Sequence, residues 1–306
     1  MITDRPGSSH PLAPSSPLRA LRPASVRPVP RRPVAPYLAD LGAAPDAPAP
    51  DPLDHRLTVA SYNVHRWAGV RGGRAFYPDR ALDVLGELGT DVIALQEALR
   101  PTLGRDPIRE AAQRLGFHFA FVVTRPHRAG ALGNVVLSRW PIAAAHAIDL
   151  SFGRLERRAA VAVRLQTGSG WLTVAATHLA LVDRTRARQV RALLDHPELA
   201  GPTILAGDMN AWRPTVASRE LDDAFTDRHH NDSWPASYPS VRPVLALDRL
   251  YARGARLVDL RAHDSPAART ASDHLPVVAS VEIDEALSAS ASTDQTDRTR
   301  AVREAG

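Results

Sequence analysis

Acids, amides and histidines that could bind a metal ion or a phosphate recur at the ends of apolar runs in this chain. At residues 203–212, TILAGDMNAW, a short apolar run is followed by Asp208 and, two positions later, by Asn210. If the backbone stays extended, both side chains lie on one face, because strand side chains alternate with a period of two. Catalytic groups often occupy such strand ends. A turn in which Asp208 caps the next helix explains the same residues equally well.

Further places in the chain repeat this pattern of an apolar run bounded by a polar group. Taken alone, each has a structural explanation: a turn residue, a surface acid, a hydrogen-bonded imidazole in the core or a helix cap. Their repetition in one chain instead indicates a shared site for metal or phosphate. The residues are Asn63 after TVASY, Glu97 after VIALQ, His178 after TVAAT, Asp248 in VLALD, and Asp273 with His274 before LPVVASVEI.

The composition limits the chemistry of such a site. The chain contains no Cys, so any metal must be held by oxygen or imidazole ligands. The formal net charge of +5 and the sequence pI near 10.3 raise nucleic acid or acidic lipid as partners. All 38 basic residues are Arg, however, and they are spread along the chain. The charge therefore indicates a chain-wide bias rather than a phosphate-binding patch.

Both ends of the chain lack the periodicity of a packed element. Residues 1–54 are rich in Pro, Ser, Ala and Arg, and residues 286–306 in Ser, Ala, Thr, Asp and Arg. Such segments bury too little apolar surface to offset the entropy of ordering, so a disordered arm and tail are predicted around one domain at residues 55–285. No segment reaches the ~18 apolar residues of a membrane helix and no signal peptide is evident, so we expect a cytoplasmic protein without an integral membrane segment.

Within the predicted domain, strand patterns outnumber helical ones. Amphipathic periodicity predicts helices at residues 78–88, 106–115 and 183–194, and residues 222–246 are predicted to form a loop with Pro and aromatic residues. Strands are predicted at residues 57–63, 91–97, 117–123, 133–142, 159–165, 171–179, 203–207, 245–252, 255–262 and 275–283.

Several of these segments carry short motifs: SYNVH, LQE, GNVVLSR, THL, GDMN, LDRLY and SDHLPV, in this order. In these motifs the chain, from residue 57 to 283, resembles the endonuclease/exonuclease/phosphatase superfamily of Mg²⁺-dependent phosphoesterases. The resemblance implies a DNase I-like α/β fold, a four-layered sandwich of two mixed β-sheets packed face to face with helices outside. SYNVH and LALDRLY are more similar to the bacterial hydrolases near the sphingomyelinase branch than to the AP endonucleases.

The resemblance also implies roles for the residues at the strand ends. Glu97 would be the principal ligand of Mg²⁺, or of Mn²⁺, with Asn63 and Asp273 beside it or acting through water, since Mg²⁺ prefers oxygen ligands and keeps some water. Asp208 would orient and deprotonate the attacking water. Asn210 would hold that water or a phosphate oxygen in line.

Two histidines complete the implied catalytic set. His178 and His274 would donate hydrogen bonds to the phosphorus centre as charge develops there. A carboxylate on the far ring nitrogen would fix the tautomer and orientation of the imidazole, and Asp248 is predicted to do so for His274. The chain departs from some family nucleases at His65, where they place a second acid. A two-metal site is therefore not expected, and His65 is interpreted as a pocket wall or a supporting group.

Four residues are candidates for contact with the substrate. Asn134 would contact a phosphate oxygen, and Arg139 would do the same, although a structural ion pair suits Arg139 equally well. The loop at residues 222–244 carries Trp234 and Tyr238, which would form a wall beside a small or amphipathic group unless they only cover the edge of the sandwich.

The function predicted from these residues is metal-dependent hydrolysis of a phosphoester, with a lipid or small-molecule phosphodiester as the preferred substrate. A DNA endonuclease or exonuclease of the same superfamily is the first alternative, with nucleic acid as partner. A binding protein that keeps the fold without catalysis is the second. The presence of Glu97, Asp208, Asp273 and His274 argues against that second alternative. We expect a monomer.

Overall fold

Two β-sheets pack face to face and carry helices on their outer sides. The computed structural model describes residues 35–43, 51, 53, 55–153, 157–168, 170–225 and 233–283, which all belong to one unit, residues 33–306. The strands are β1 Tyr37–Gly42, β2 Arg56–Asn63, β3 Val92–Pro101, β4 His118–His127, β5 Gly130–Ser138, β6 Ile142–Asp149, β7 Ala159–Gln166, β8 Trp171–His178, β9 Thr203–Asp208, β10 Asp248–Arg253, β11 Ala255–Ala262 and β12 Val277–Ile283. The helices are α1 Pro78–Leu88, α2 Pro107–Leu115, α3 Asp183–Leu194, α4 Val216–Ala224 and α5 Ala268–Ala271, with 3₁₀ turns at His65–Trp67 and Pro197–Leu199.

Both sheets are mixed. The strand order is β1-β4-β5-β3-β2-β12-β11 in the 7-stranded sheet and β10-β9-β8-β7-β6 in the 5-stranded sheet. β2 is parallel to β3 and β8 is parallel to β9, whereas the other neighbouring strands are antiparallel. Parallel neighbours need a crossover connection, and α1 and α3 provide it. None of the helices in the described ranges is long and apolar enough to cross a membrane.

The alternation of side chains along each strand divides the core into layers. On β2, Leu57 and Val59 face the second sheet and share one cluster with Val174 of β8. Tyr62 faces the other way and packs in a separate cluster with Leu85 of α1. A third cluster joins α3 and α4 to the outer face of the 5-stranded sheet. The layers are therefore helix, sheet, sheet and helix, which confirms the predicted four-layered sandwich.

The N-terminal segment predicted to be disordered contains a strand. β1 pairs with β4 at the edge of its sheet, and Asp40 lies 2.7 Å from Arg100 and 2.6 Å from Arg109. Leu53 is 1% exposed in the core between the sheets. The prediction is wrong for these residues, because an edge strand gains its hydrogen bonds from its neighbour and needs no strong apolar pattern of its own. Most of residues 1–54 and all of residues 284–306 lie outside the described residues.

Two further elements have weak signals in the sequence. β6 is rich in Ala and only partly buried at the edge of its sheet, so its pattern does not stand out. α4 occupies part of the predicted loop; it begins after Thr215, whose side chain forms a capping box with Ser218.

The predicted helices at residues 78–88 and 183–194 are confirmed, and Asp106 is the cap of α2 rather than its first residue.

The burial of Leu53 can be tested by truncating its side chain. Leu53→Ala is expected to lower the free energy of unfolding by about 3 kcal/mol, because it leaves a cavity between the sheets. Leu41→Ala is the matched control: Leu41 is 48% exposed on β1, and its truncation should cost less than about 0.5 kcal/mol. Urea denaturation measures both values. Equal and small losses would show that Leu53 is not packed in the core.

Candidate active site

Polar side chains gather at the edge where strands of both sheets end. The parallel strands β2 and β3 end at this edge, as do β8 and β9, and the antiparallel strands β10 and β12 begin there. The alternation that buries Ala176 and Ala206 between the sheets continues to His178 and Asp208, the last residues of β8 and β9. Both polar side chains therefore lie between the sheets rather than on an outer face.

Asp208 is the centre of this polar cluster and is 2% exposed. Its Oδ2 accepts a hydrogen bond from Asn63 Nδ2 at 3.1 Å and lies 3.4 Å from His178 Nε2 and 3.8 Å from His274 Nε2. Its Oδ1 accepts a hydrogen bond from the backbone N–H of Asn210 at 2.9 Å. The cluster thus joins residues from both sheets through one carboxylate.

Asp248 and His274 form a second buried contact beside Asp208. Asp248 Oδ2 lies 2.7 Å from His274 Nδ1, which is the pairing predicted from the sequence. The Ser237 hydroxyl donates to the same oxygen at 2.6 Å. Asp248 Oδ1 is buried and has no hydrogen-bond partner among the described residues. The imidazole of His274 is therefore held from one side by a fully buried acid.

The two buried acids set the charge of His274. Burial lowers the pKa of this imidazole, but the carboxylates of Asp248 and Asp208 outweigh burial and raise the pKa to about 10. The ring carries both protons at neutral pH. Its Nδ1–H donates to Asp248, and its Nε2–H remains on the side of Asp208.

The pKa of Asp208 is raised toward neutral pH. Burial raises the pKa of Asp208 to about 6, and the nearby Asp248 carboxylate acts in the same direction. The charge of His274, the Asn210 N–H and the Asn63 amide act in the opposite direction by stabilising the ionised form. At neutral pH the carboxylate is ionised but binds a proton more strongly than an ordinary Asp, which suits a general base.

His178 is a neutral ring in the same cluster. Burial, together with the charges of Arg158 and His274, holds the pKa of His178 well below its usual value. Its Nε2 faces Asp208, and its Nδ1 lies 4.0 Å from Glu97 Oε1. A proton on Nε2 suits the contact with the Asp208 carboxylate.

A β-bulge directs Glu97 toward this cluster. Gln96 and Glu97 together oppose Asn134 on β5, and Glu97 has a φ of 51°. Among the described residues, the nearest cationic atom to its carboxylate is Arg66 Nε, at 3.8 Å from Oε2. This contact and the contact with His178 are longer than hydrogen bonds, so the Glu97 oxygens have no hydrogen-bond partner within the described part of the chain, and 22% of the side chain is exposed.

Asp273 lies on the same side, next to His65. Its Oδ1 is 3.2 Å from His65 Nδ1, and the side chain is 24% exposed. The backbone N–H of His65 donates to Asn63 Oδ1 at 3.0 Å. The Nε2 atom of the His65 ring is 2.8 Å from Arg66 Nη2. His65 therefore supports Asn63 and Asp273, as the interpretation of this residue as a supporting group predicts.

Arg139 is not part of the site. β5 runs antiparallel to β3, so Arg139, which follows β5, emerges at the opposite edge of the sheet from Glu97. There its Nε lies 3.1 Å from Asp91 Oδ1. The predicted substrate contact is therefore wrong, and the alternative of a structural ion pair describes this residue.

Asn134 and Asn210 lie at the correct edge but use their amides on the backbone. Asn134 Nδ2 donates to the Ala159 carbonyl at 2.8 Å and so connects the two sheets. Asn210 has a φ of 50°, so the extended backbone assumed from the sequence does not continue past Asp208. Its Nδ2 donates to the Leu179 carbonyl at 2.9 Å. In this structure both amides position neighbouring segments, and Asn210 does not share a strand face with Asp208.

The two aromatic residues of the predicted wall lie in different places. The Tyr238 ring is 4.9 Å from the His274 ring, which puts it at the site. Trp234 packs 4.9 Å from the Tyr251 ring, near the guanidinium of Arg249, and belongs to the outer cluster of the 5-stranded sheet. Trp234 therefore covers the sandwich, and only Tyr238 borders the site.

Three polar residues near the site lie outside the sequence motifs. Ser237 donates to Asp248, Arg66 approaches Glu97, and the charge of Arg158 acts on His178. Arg66 directly follows the SYNVH motif, which is the one available signal for it. Ser237 and Arg158 come from loop segments whose approach to the site depends on the tertiary fold.

Two groups of ligands could hold a metal. Asp208, Asp248 and His274 form the one set of three acid or imidazole side chains, within the described ranges, whose ligand atoms lie within 4.8 Å of one another. Two of these atoms already share a hydrogen bond, and the imidazole is protonated. Glu97 and Asp273, whose side chains are 22% and 24% exposed, instead offer carboxylate oxygens at the open side of the cluster. The Asn63 amide oxygen, which is buried and accepts the His65 N–H, is the further oxygen that could join them. Oxygen ligands are the ones that Mg²⁺ prefers.

Comparison with known proteins identifies the family of this chain. The Endonuclease/Exonuclease/phosphatase family matches residues 60–274, and the chain belongs to this family, whose members are generally hydrolytic phosphoesterases and typically use a divalent metal. The predicted resemblance is thereby confirmed. The chain is also 27% identical over 250 residues to the uncharacterized protein YbhP of Escherichia coli strain K12, covering 74% of this chain and 96% of that protein.

Solved structures share the fold. A family protein from Beutenbergia cavernae is 24% identical with a TM-score of 0.58, covering 75% of this chain and 72% of that one. A family protein from Bacteroides thetaiotaomicron is 15% identical with a TM-score of 0.62, covering 77% and 100%. D. rerio TDP2, complexed with single strand DNA product, is 16% identical with a TM-score of 0.54, covering 74% and 98%.

The charge of His274 gives a prediction for the metal-free protein. Because the folded pKa of about 10 exceeds the usual 6.5, this group stabilises the fold fully below pH 6.5, and the contribution is lost as the pH rises toward 10. Asp248→Asn should lower the pKa of His274 toward or below its usual value. ¹⁵N NMR titration in the presence of a chelator measures the pKa, with Asp259→Asn as an exposed-acid control. A His274 pKa that is unchanged in Asp248→Asn would contradict the pairing.

Proposed function

We propose that this protein is a divalent-metal-dependent phosphodiesterase that hydrolyses its substrate by in-line attack of water. One observation carries the proposal: the buried Asp208 carboxylate lies between a neutral and a protonated imidazole, His178 and His274, and the partly exposed Glu97 carboxylate lies on the other side of His178. A base, a hydrogen-bond donor and a metal ligand are thus within reach of one another. Membership in a family of phosphoesterases supports the same reaction class.

The charges at the site fit a divalent cation. Four carboxylates, those of Glu97, Asp208, Asp248 and Asp273, converge on an edge where His274 is the protonated imidazole. Glu97 would hold the ion together with Asp273 and the Asn63 oxygen, and Mg²⁺ or Mn²⁺ suits such a set. An ion held by these residues would supply Lewis-acid chemistry, polarising a phosphoryl oxygen and neutralising negative charge on it.

Asp208 is assigned the role of general base. Its Oδ2 accepts a proton from the attacking water while the water oxygen forms a bond to phosphorus and the bond to the leaving oxygen breaks. The Asn63 amide and the Asn210 N–H hold the carboxylate in place. With a pKa of about 6, Asp208 is ionised at neutral pH and ready to accept this proton.

The histidines are assigned to stabilise the negative charge that develops on the phosphoryl and leaving-group oxygens during the reaction. His274 Nε2–H donates to a phosphoryl or leaving-group oxygen, and Asp248 on Nδ1 keeps the ring oriented and protonated. Neutral His178 orients Asp208 and offers no competing charge. The site is completed by residues of one chain, so we propose that the protein acts as a monomer.

The preferred substrate in this proposal is a lipid or small-molecule phosphodiester. Tyr238 supplies an apolar face next to His274, where a leaving group or headgroup could rest. DNA cleavage is the second candidate, favoured by the fold shared with TDP2, whose structure holds a single strand DNA product. A binding protein without catalysis is disfavoured, because the predicted acids and histidines all meet at one edge.

A substrate panel tests the proposed reaction. Purified protein is assayed with Mg²⁺, with Mn²⁺ and with chelator against bis(p-nitrophenyl) phosphate, sphingomyelin, plasmid DNA and an abasic-site duplex, at low and high salt. Metal-dependent cleavage of the small or lipid diester is expected. Salt-sensitive nicking of DNA without turnover of the other substrates would favour the nuclease, because contacts to DNA phosphates weaken with salt.

Glu97→Gln removes one charge and keeps the side-chain volume. We expect Mg²⁺ affinity to fall roughly 10- to 100-fold and activity to be largely lost, while the melting temperature of the metal-free protein stays near that of the wild type. Calorimetric titration measures the affinity. Glu220→Gln, at a surface acid paired with Arg191, is the control. Wild-type metal affinity in Glu97→Gln would remove Glu97 from the proposed ligand set.

Asp208→Asn removes the proposed proton acceptor. We expect kcat to fall by about 10²- to 10⁴-fold with little change in KM, because the proton is accepted only on the way to the transition state. Steady-state kinetics on bis(p-nitrophenyl) phosphate gives both constants. If KM rises and kcat is kept, Asp208 contacts substrate and is not the base.

A further inference from the structure

The exposed apolar side chains of this protein are concentrated at the edge that carries the site. Within the part of the chain that the structure describes, every exposed large apolar residue except Tyr37, Leu41 and Trp171 lies in a loop leaving this edge or at the adjoining start of α4. We define the apolar rim by six of these residues: Phe76, Leu103, Leu181, Val182, Trp212 and Val244.

The strand connections explain why the apolar rim surrounds the site. Leu103 follows β3, the strand of Glu97, while Leu181 and Val182 follow β8 and Trp212 follows β9. Leu103 is 87% exposed, and Leu181, Val182 and Trp212 are each at least half exposed. Scattered exposed apolar residues need no explanation, but a group on one edge does, because exposed apolar patches mark interaction surfaces.

Arginines without acidic partners accompany the apolar residues. Arg184, Arg188 and Arg219 line a groove of about 660 Å³ between α3 and α4, and they form no ion pair among the described residues. The acid in this groove, Asp183, is already paired with Arg213 and with Arg186. The groove therefore keeps a net positive charge.

A second basic pocket lies on the other side of the site. It has a volume of about 430 Å³ and is lined by Arg74 and Arg128 together with Phe76 and Leu103 of the apolar rim. Neither Arg74 nor Arg128 makes an ion pair with a described residue, whereas Arg105 at the same pocket is paired with Asp79 and Glu110. Positive charge and apolar surface thus occur together on both sides.

We propose that this edge docks on an anionic lipid bilayer, with the apolar rim in the headgroup region and the unpaired arginines on anionic headgroups. The inference rests on the proposed phosphodiesterase function and names its substrate class: a phosphodiester lipid taken from the bilayer surface. Apolar side chains beside basic ones are what an interfacial lipid surface requires. A nucleic acid would account for the arginines but would leave aliphatic side chains such as Leu181 and Val182 without a partner.

Vesicle flotation tests the docking without requiring catalysis. Wild-type protein in chelator is mixed with vesicles of phosphatidylcholine alone or with 30% phosphatidylglycerol, at low and high salt. We expect binding to the anionic vesicles that weakens with salt, and little binding to the neutral ones. A double-stranded oligonucleotide is offered in parallel. Absence of vesicle binding, or binding to the oligonucleotide that vesicles do not compete away, would overturn the proposal.

Variants separate the two parts of the surface. Replacing Arg184, Arg188 and Arg219 by Ala should lower the partition coefficient on anionic vesicles roughly 100-fold at low salt, since each arginine near such a surface contributes about 5-fold. Leu181→Ser with Val182→Ser should lower it by about 10-fold or more at any salt. The control variants are Arg256→Ala and Trp171→Ser, at the opposite edge, which should bind as the wild type does. Equal losses in test and control variants would overturn the assignment to this edge.

A soluble substrate distinguishes failure of docking from failure of the proposed reaction. Neither the three altered arginines nor the two altered residues of the apolar rim are assigned to catalysis. Both variants should therefore cleave bis(p-nitrophenyl) phosphate at the wild-type rate while losing activity on vesicle lipid. Vesicle binding without cleavage of any diester would support the docking and reject the phosphodiesterase. Cleavage of the soluble diester without vesicle binding would support the phosphodiesterase and reject the docking.

Discussion

Two carboxylates, Asp208 and Asp248, are buried between the sheets next to a single protonated imidazole. Burying charge is costly unless it is paired and hydrogen-bonded, and here His274 lies between the two acids with contacts of 3.8 and 2.7 Å. The same arrangement raises the pKa of Asp208 and fixes the protonation of His274. The pairing that makes burial of these charges tolerable thus also places a carboxylate that can accept a proton, Asp208, beside an imidazolium that can donate a hydrogen bond, His274.

The sandwich supplies this arrangement because two pairs of parallel strands end at one edge. Side-chain alternation keeps apolar residues between the sheets up to the last residue of each strand. There, polar residues on the same face meet between the two sheets. The bulge at Glu97 breaks the alternation and turns a further acid toward the opening. The buried acid and imidazole groups, to which we assign proton transfer, thus lie deeper than the partly exposed Glu97 and Asp273, the proposed ligands of the ion.

Much of the fold could be predicted from the sequence, since apolar periods and the order of the motifs identify most strands and the strand-end residues. The pairing of Asp248 with His274 follows from the same reasoning. Of the two interpretations of Arg139, the substrate contact is wrong because a motif gives no strand direction, and the orientation of Asn210 depends on a positive φ that its sequence does not require. Ser237 lies in a loop without periodicity, and its contact with Asp248 is decided by tertiary packing.

We propose that the metal binds at the open side of the cluster, while the buried acid–imidazole pair accepts and donates protons. Anomalous diffraction from crystals of the protein soaked in Mn²⁺ tests it directly, because it locates the ion independently of activity. We expect a peak within ligand distance of Glu97 and Asp273, with the Asp248–His274 hydrogen bond intact. A peak held by Asp208, Asp248 and His274 would contradict it, because the imidazole would then be a neutral ligand instead of a protonated donor.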